Sequence, residues 1–178
     1  MQESKELSII IVSYKSKNHL GLCVNSIFNK LGSANFEILI INNDQKEDIS
    51  KNFLDFPDVK VINSPKNIGF AAGSNSGARI AKGKWLLFLN PDTRLLTNQS
   101  RILELIRGRG DFGIISPQLI NENGGTQEWS NGKIPSLIEL FRNNIINKTK
   151  EKNEADNASR SVGWVSGAAM FVKKNIFD

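Results

Sequence analysis

Apolar residues in the first half of this chain are grouped into short continuous runs. Residues 7–12, 36–41 and 85–89 are dominated by aliphatic and aromatic side chains, and residues 59–62 form a shorter run. Continuous apolar runs of this length are typical of strands that are buried on both faces of a sheet. We therefore predict three such strands, and residues 59–62 predict a further short strand.

The segments between these runs have helical patterns. Apolar residues recur at helical spacing over residues 20–31, and Gly32 follows them as a C-cap residue would. Residues 49–54 show a weaker pattern, and a stretch rich in small residues predicts a helix over about 71–81. Strands that alternate with helices in this way predict an α/β fold with a mostly parallel sheet and right-handed crossovers.

The pattern changes after Asp92. A helix is predicted over residues 102–106 and a short strand over residues 113–116. Residues 119–126 contain an Asn-Gly-Gly sequence between apolar positions, which is typical of a hairpin.

The last part of the chain combines two ordered patterns with a polar stretch. Residues 136–146 carry apolar positions in helical register. Residues 147–161 are polar and charged, and we expect them to be mobile. Residues 162–172 predict a strand pair or a turn followed by a strand.

Length and composition are those of a globular protein. With 178 residues, of which 39% are hydrophobic and 23% charged, the chain can build one core, so we expect a single domain over 1–178. No apolar run is long enough to span a bilayer and the N-terminus lacks the order of a signal peptide, so we expect a cytoplasmic protein. The one cysteine, Cys23, is expected to be a buried structural thiol, because it falls on the apolar side of a predicted helix.

The net charge of +5 is compatible with three kinds of partner: nucleic acid, an anionic membrane surface or a polyphosphate ligand. The basic residues are scattered, without the interleaved aromatic residues or the recognition helix of a nucleic-acid-binding protein. We therefore expect no nucleic-acid partner. Weak peripheral association with anionic lipid at the inner face of the membrane stays open.

Two segments around the fourth predicted strand carry the most informative chemistry. Residues 67–77 are rich in glycine, asparagine and serine, so backbone amides and short side chains can approach a ribose or phosphate closely. Residues 90–92 read Asn-Pro-Asp, and the strand before them delivers Asp92 to the carboxyl edge of the sheet, where open α/β folds bind ligands. A carboxylate there suits a hard divalent cation. These features predict a nucleotide-sugar site.

Both segments also have purely structural interpretations. Gly73 and Gly77 could serve only to let a helix pack closely on the sheet. The Asn-Pro-Asp triplet could be a turn that closes the strand, with Asp92 capping the next helix. For the glycines the two interpretations are compatible, because close packing would leave Asn67 and Asn75 facing a ligand.

Five segments in register resemble family 2 glycosyltransferases: residues 8–14, 37–44, 67–77, 89–92 and 164–168. Within that family the likeness is strongest to the rhamnosyltransferase-like members of bacterial surface-polysaccharide pathways, and it covers essentially the whole chain. Any one of these motifs is weak, but five in order and at matching spacing are specific.

The resemblance implies a GT-A fold, with a Rossmann-like, mostly parallel sheet flanked by helices and a smaller acceptor-side β/α portion. Residues 1–95 would form the nucleotide-binding half and residues 96–178 the acceptor-side half. The implied reaction moves a sugar, with rhamnose as a candidate, from a UDP or dTDP donor to a glycan or lipid-linked acceptor. The implied reaction inverts the configuration at the anomeric carbon by direct displacement, and it uses Mg²⁺ or Mn²⁺.

Specific residues take roles from this resemblance. Asp92 would be the metal ligand. Trp164, Gly167 and Ala168 would lie at the donor sugar and acceptor, although Trp164 could equally fill the core. The nucleotide would be bound by Val12, Ser13, Tyr14, Asn42, Asn67, Gly69, Phe70, Asn75 and Asn90.

The chain departs from the family pattern at two points. Asn42 stands where the family usually has an aspartate that accepts a hydrogen bond from the pyrimidine base. The family's downstream Glu-Asp motif, which holds the general base, has no counterpart up to residue 178. We therefore assign no catalytic residue within this sequence, and we expect the sequence to be truncated at its C-terminal side and weak or inactive alone.

Two other functions compete with sugar transfer. A sugar-nucleotide nucleotidyltransferase also places a metal-binding acid beside a Rossmann-like sheet, but its usual Gly-rich, basic loop after the first strand is missing at residues 13–16. A non-catalytic module that binds nucleotide sugars would need no general base. The oligomeric state is open.

Overall fold

The structure, a computed structural model, describes residues 4–108, 112–134 and 160–177. The chain divides into two compact units, one formed by Met1–Ile115 with Gly167–Asp178 and the other by Ser116–Ser166. The first unit therefore continues past residue 95. Our division into nucleotide and acceptor halves at that residue concerns ligands and stays a prediction.

The first unit contains a six-stranded sheet with the order β3-β2-β1-β4-β8-β5. Strands β3, β2, β1 and β4 are parallel, whereas β8 runs antiparallel to both β4 and β5. The strands are β1 (Lys5–Ser13), β2 (Phe36–Asn42), β3 (Val59–Asn63), β4 (Gly83–Leu89), β5 (Ile114–Ile115) and β8 (Ala169–Lys173).

Four helices accompany these strands in the described part of the first unit. They are α1 (Lys17–Leu31), α2 (Gly69–Ile80), α3 (Gln99–Gly108) and the short α4 (Lys174–Phe177). The weak pattern at 49–54 corresponds to a single 3₁₀ turn, Ser50–Phe53, rather than a longer helix. The predicted α/β class, its parallel strands and its main helices are confirmed.

The second unit contains a two-stranded antiparallel ladder of β6 (Asn131–Gly132) and β7 (Trp164–Val165). It also contains the predicted hairpin, in which Ile120 bridges Thr126 and Gly124 has a φ of +77°. The predicted helix over residues 136–146 and most of the stretch 147–161 lie outside the described residues.

Strands β1, β2 and β4 form the core, as their apolar runs predicted, whereas β3 lies at the edge of the sheet and has no buried residue. Ile9, Ile11, Ile38 and Ile40 are fully buried. Such strands need a cover on both faces of the sheet, and α1 and α2 each bury one side of their own surface. Among the described residues, none of the helices combines the length and apolar character needed to traverse a bilayer.

Helix α2 lies unusually close to the sheet. A methyl group added to Gly77 would lie 2.6 Å from Cγ2 of Ile10, and one added to Gly73 would lie 2.9 Å from Cγ1 of Val12. Larger residues at these positions would push the helix away from β1. The packing interpretation of the glycines is therefore confirmed, and it leaves the ligand interpretation of the same helix open.

Candidate functional site

The carboxyl ends of three parallel strands meet in one row. Ser13 at the end of β1 is the register partner of Asn42 at the end of β2, and Asn42 is the partner of Asn63 at the end of β3. This edge is where open α/β sheets bind their ligands. The sequence-predicted positions Ser13 and Asn42 are therefore brought together.

The side chain of Asn42 is almost fully used by the protein itself. It is 2% exposed, and its Nδ2 donates to the backbone oxygen of Glu47 at 2.8 Å and to Oδ1 of Asn63 at 3.0 Å. Its Oδ1 accepts the N–H of Asp44 at 3.1 Å. These bonds hold the loop after β2, and the predicted contact of Asn42 with a base stays a prediction.

The next residue, Asn43, has a different environment. Its backbone N–H donates to the Ser13 oxygen at 2.8 Å, and its Nδ2 donates to the Gly69 oxygen at 3.2 Å. Its Oδ1 is buried and has no hydrogen-bond partner. An unsatisfied buried acceptor costs about 1–3 kcal/mol, so this oxygen is suited to receive a hydrogen bond from a ligand.

Asn43 is not among the site residues predicted from the sequence. Two adjacent asparagines follow β2, and nothing in their pattern distinguishes which amide the protein uses for itself. The distinction depends on partners that are 5–26 positions away along the chain. The same holds for Ser74 in α2, whose buried Oγ also has no partner.

The start of α2 reaches the same edge of the sheet. Asn67 Oδ1 accepts the N–H of Gly69 at 2.9 Å, and Gly69 has a φ of +80°, which glycine adopts without strain. Phe70 is 47% exposed, and Asn75 is exposed one turn further along. Asn43 joins this helix start to the end of β1 through its bonds to both.

Residues after β1 form the other side of this edge. Tyr14 is 47% exposed, and the Nζ of Lys15 lies 5.3 Å from the centre of its ring. Val12, by contrast, is buried against α2 and serves packing in this structure. An exposed ring next to the strand end is available for stacking on a planar ligand.

The turn that carries Asp92 is anchored from several directions. Asn90 donates its N–H to the Ala168 oxygen at 2.9 Å, and the Thr93 hydroxyl donates back to the Asn90 oxygen at 2.6 Å. Ser26 of α1 accepts the N–H of Leu95 at 2.9 Å. Asp92 itself is exposed at the tip of the turn. These bonds fix the main chain of the turn from which the Asp92 side chain extends.

The residues present fit one kind of metal site. Among the described ranges, no group of three or more His, Cys, Asp and Glu side chains could hold a cation. A protein cage for a metal is therefore not found there. Mg²⁺ commonly binds through one or two carboxylates together with substrate phosphates, and the single exposed Asp92 matches that arrangement.

Two predicted residues of the Ser-Gly-Ala segment lie next to nucleotide-edge residues. A methyl group on Gly167 would lie 3.6 Å from Cε1 of Phe70, and Ala168 accepts the hydrogen bond from Asn90. The first unit therefore brings Phe70, Asn90, Gly167 and Ala168 together, although they are far apart in sequence.

Trp164 belongs to the second unit. It is half-buried in β7, and a methyl group on Gly132 would lie 2.7 Å from its Nε1, so the ring lies against that glycine. This contact supports the interpretation that Trp164 fills a core. A contact with a sugar stays a prediction.

The buried thiol of Cys23 lies under the Asp92 turn. Its Sγ is 3.7 Å from the Asn90 oxygen. Burial raises the pKa of the thiol to about 12, a hydrogen bond with Thr93 lowers this pKa, and the charge of Asp92 raises it. The prediction of a buried structural thiol is confirmed.

Cys23 is expected to be unreactive in the folded protein. At pH 8 a thiol with a pKa of about 12 is ionised in roughly one molecule in ten thousand, and only the thiolate attacks Ellman's reagent. Slow labelling in buffer and complete labelling in denaturant are expected. Rapid stoichiometric labelling of the folded protein would contradict both the burial and the raised pKa.

Nearly the whole chain matches a known family. The model for Glycosyl transferase family 2 matches residues 8–177. The low-salt glycan biosynthesis hexosyltransferase Agl10 of Haloferax volcanii is 26% identical over 187 aligned positions, which cover 97% of this chain and 54% of that protein.

Two further proteins are similar over shorter stretches. The UDP-Glc:alpha-D-GlcNAc-diphosphoundecaprenol beta-1,3-glucosyltransferase WfgD of Escherichia coli is 25% identical over 121 positions, 66% of this chain and 47% of that protein. The solved structure of the mannosyltransferase PcManGT from Pyrobaculum calidifontis, in complex with GDP-Man and Mn²⁺, superposes with a TM-score of 0.57 at 12% identity. This superposition covers 67% of this chain and 37% of that one, and it shows a shared fold alone.

These comparisons agree with the geometry of the sheet edge. The chain spans about half the length of the curated relatives described above. The family match nevertheless extends over nearly the whole sequence, from β1 to the end of α4, and the implied GT-A type of fold is confirmed. This chain belongs to Glycosyl transferase family 2.

Proposed function

We propose that this chain binds a UDP- or dTDP-sugar, with rhamnose as the candidate sugar, for transfer of the sugar to a glycan or lipid-linked acceptor in cell-surface polysaccharide synthesis. Because no general base is assigned among its residues, we expect the chain alone to transfer the sugar weakly or not at all. The observation that carries the proposal is the convergence of the ends of β1 and β2, the start of α2 and the Asp92 turn at one edge of the sheet. The reaction would take place in the cytoplasm or at the inner face of the membrane.

The base of the nucleotide is assigned to the edge near β1 and β2. Asn43 Oδ1 is a buried acceptor without a partner, and the N3–H of uracil or thymine is a donor of matching chemistry. The exposed ring of Tyr14 would stack on the base from the end of β1. Together, the hydrogen bond and the stacking contact would recognise a pyrimidine base, and neither needs a charged side chain.

The diphosphate is assigned to the Asp92 side of the site. A Mg²⁺ or Mn²⁺ ion held by Asp92 and the phosphates would neutralise the negative charge that develops as the glycosyl bond breaks. Asn67 and Gly69 at the start of α2 offer amide groups for ribose or phosphate oxygens. Phe70, Gly167 and their neighbour Ala168 would border the donor sugar.

The proposed chemistry is a direct displacement. The acceptor oxygen forms a bond to the anomeric carbon while the bond from that carbon to the diphosphate oxygen breaks, and the acceptor proton passes to a general base. The configuration at the anomeric carbon inverts. The chain's own contribution would be to hold the donor and fix the leaving group.

The test is a thermal-shift panel of UDP, dTDP, GDP, CDP, ADP and their sugars, with and without Mn²⁺. A ligand at a hundred times its Kd stabilises a folded protein of this size by about 5–10 °C. A larger shift with UDP or dTDP than with the other nucleotides, increased by Mn²⁺, would support the proposal. ATP and CTP are included in the same panel, and a response to either of them alone would support nucleotidyl transfer.

Replacing Asn43 with alanine is expected to weaken UDP or dTDP binding about three- to tenfold, because one hydrogen bond to the base is lost. Asn42→Ala is the matched control. It should lower the free energy of unfolding by about 1–3 kcal/mol, because it removes the buried bonds of the loop, while the affinity changes less. Calorimetry and urea unfolding measure the two quantities. If Asn42→Ala weakened nucleotide binding more than Asn43→Ala, the base contact would be assigned to Asn42.

A further inference from the structure

A basic cavity lies at the edge of the sheet opposite to the proposed nucleotide site. Its volume is about 570 Å³. Four of its seven lining residues are lysines and none is acidic. The lining consists of Lys82, Gly83, Lys84, Trp85, Lys173, Lys174 and Asn175.

The cavity is separate from the nucleotide edge. It is formed where β4 begins and where the antiparallel β8 ends, and Trp85 pairs with Lys173 at this point. Asp92 follows the other end of β4. A strand of seven residues spans about 20 Å, so the two sites do not share a ligand.

The lysines are held around the cavity by the fold. Lys173 Nζ lies 5.6 Å from the centre of the Trp85 ring, and Lys174 Nζ donates to the Ala81 oxygen. Lys82 and Lys84 are exposed beside them. With four lysines and no acidic residue in the lining, the cavity has a positive potential that favours an anion.

The carboxylate of Glu37 lies next to this lining, and it is already engaged. Glu37 Oε1 accepts the Lys82 N–H at 2.6 Å and the Ser8 hydroxyl at 2.7 Å, and Ser8 Oγ in turn accepts the Gly83 N–H. Glu37 therefore holds the backbone where β4 begins. Its charge offsets part of the positive charge, but no acid lines the cavity itself.

Exposed apolar side chains flank the lysines in sequence. Ile80 precedes Lys82 and is 42% exposed, and Ile176 follows Lys174 and is 56% exposed. Lysines next to exposed aliphatic side chains are the combination that favours the surface of an anionic membrane over free phosphate in solution. The net charge of +5 also favours attraction to an anionic membrane.

We propose that this cavity binds the phosphate group of an anionic lipid headgroup and so attaches the protein peripherally to a membrane. The proposal does not depend on sugar transfer. Attachment at this edge would leave the opposite edge, with Asp92 and Asn43, free to receive the nucleotide.

The test compares two variants with the same change of charge. Lys82→Glu with Lys84→Glu reverses two cavity lysines, and Lys51→Glu with Lys60→Glu reverses two exposed lysines elsewhere on the first unit. Each protein is co-sedimented with phosphatidylcholine vesicles that contain one third phosphatidylglycerol, and with pure phosphatidylcholine vesicles. Thermal unfolding and nucleotide binding are measured in parallel to show that both variants are folded.

The wild type is expected to bind only the vesicles that contain phosphatidylglycerol. The cavity variant should bind them at least about twentyfold more weakly, because each lysine near an anionic surface contributes about fivefold to the affinity for the vesicles. The control variant should lose much less of this affinity. Equal losses in both variants would show general charge attraction and overturn the proposal. Stabilisation of the wild type by inorganic phosphate without vesicle binding would instead identify a site for free phosphate and would also overturn it.

Discussion

Replacing Asp92 with asparagine is expected to remove most of the metal-dependent affinity for the nucleotide. The variant keeps the shape of the side chain but loses the charge that a hard cation needs. Changes to groups that only support a metal ligand typically cost 10–100-fold in metal affinity, so loss of the ligand itself should cost at least about tenfold. Calorimetry with the nucleotide, in the presence and absence of Mn²⁺, measures the effect.

The matched control for this variant is Asp55→Asn, which removes one exposed carboxylate from the same unit. This control variant should leave the affinity for the nucleotide unchanged, both with and without Mn²⁺. The metal-free affinity of Asp92→Asn should also stay close to that of the wild type, because Asp92 is exposed and the turn is held by backbone bonds. Equal Mn²⁺ dependence in the wild type and Asp92→Asn would disprove the metal assignment.

Gly83→Ala is expected to have the largest effect on stability. A methyl group at Gly83 would collide with the backbone nitrogen of Ser8 and would lie 2.7 Å from the backbone carbon of Leu7, in the neighbouring strand β1. A backbone in the middle of a sheet cannot move aside as a side chain can. We expect a loss of at least about 3 kcal/mol in the free energy of unfolding, at the upper end of the usual cost of overpacking.

Gly21→Ala provides the control in the same unit. Gly21 lies inside α1, and a methyl group there would meet no atom within 4 Å. This variant should be stabilised by roughly 0.5–1 kcal/mol, because alanine favours the helix more than glycine does. Urea unfolding of both variants measures the difference. A Gly83→Ala protein as stable as the wild type would show that β1 and β4 are not packed as closely as described.

The order and type of the main elements could be predicted from local pattern. Continuous apolar runs predicted β1, β2 and β4, because strands buried on both faces cannot carry many polar residues, and a shorter run predicted β3 at the edge of the sheet. The helices between them followed from apolar spacing and from Gly32 at the end of α1. The same pattern could not show that β8 enters the sheet between β4 and β5 in the antiparallel direction. Strand order depends on pairing between segments that are about eighty residues apart.

The candidate site, too, could be predicted only in part from the sequence. Motif order was sufficient to select the sheet edge, Asp92 and the start of α2, because the carboxyl ends of parallel strands must meet on one side. Which side chains have atoms left for a ligand is a different property. Asn42 and Asn43 are chemically identical neighbours, and only the folded loop after β2 together with the pairing to β3 satisfies the first and leaves Oδ1 of the second unpaired.

The basic cavity also depends on tertiary structure. Lys82 and Lys84 are about ninety residues away from Lys173 and Lys174, and nothing in the spacing of these lysines predicts that they share a cavity. Antiparallel pairing of β4 with β8 brings the two pairs together. Local hydrophobic pattern thus decides which segments become strands and helices, because burial acts on each segment separately. Ligand chemistry arises only where the fold joins distant segments, because a site needs groups that converge in space.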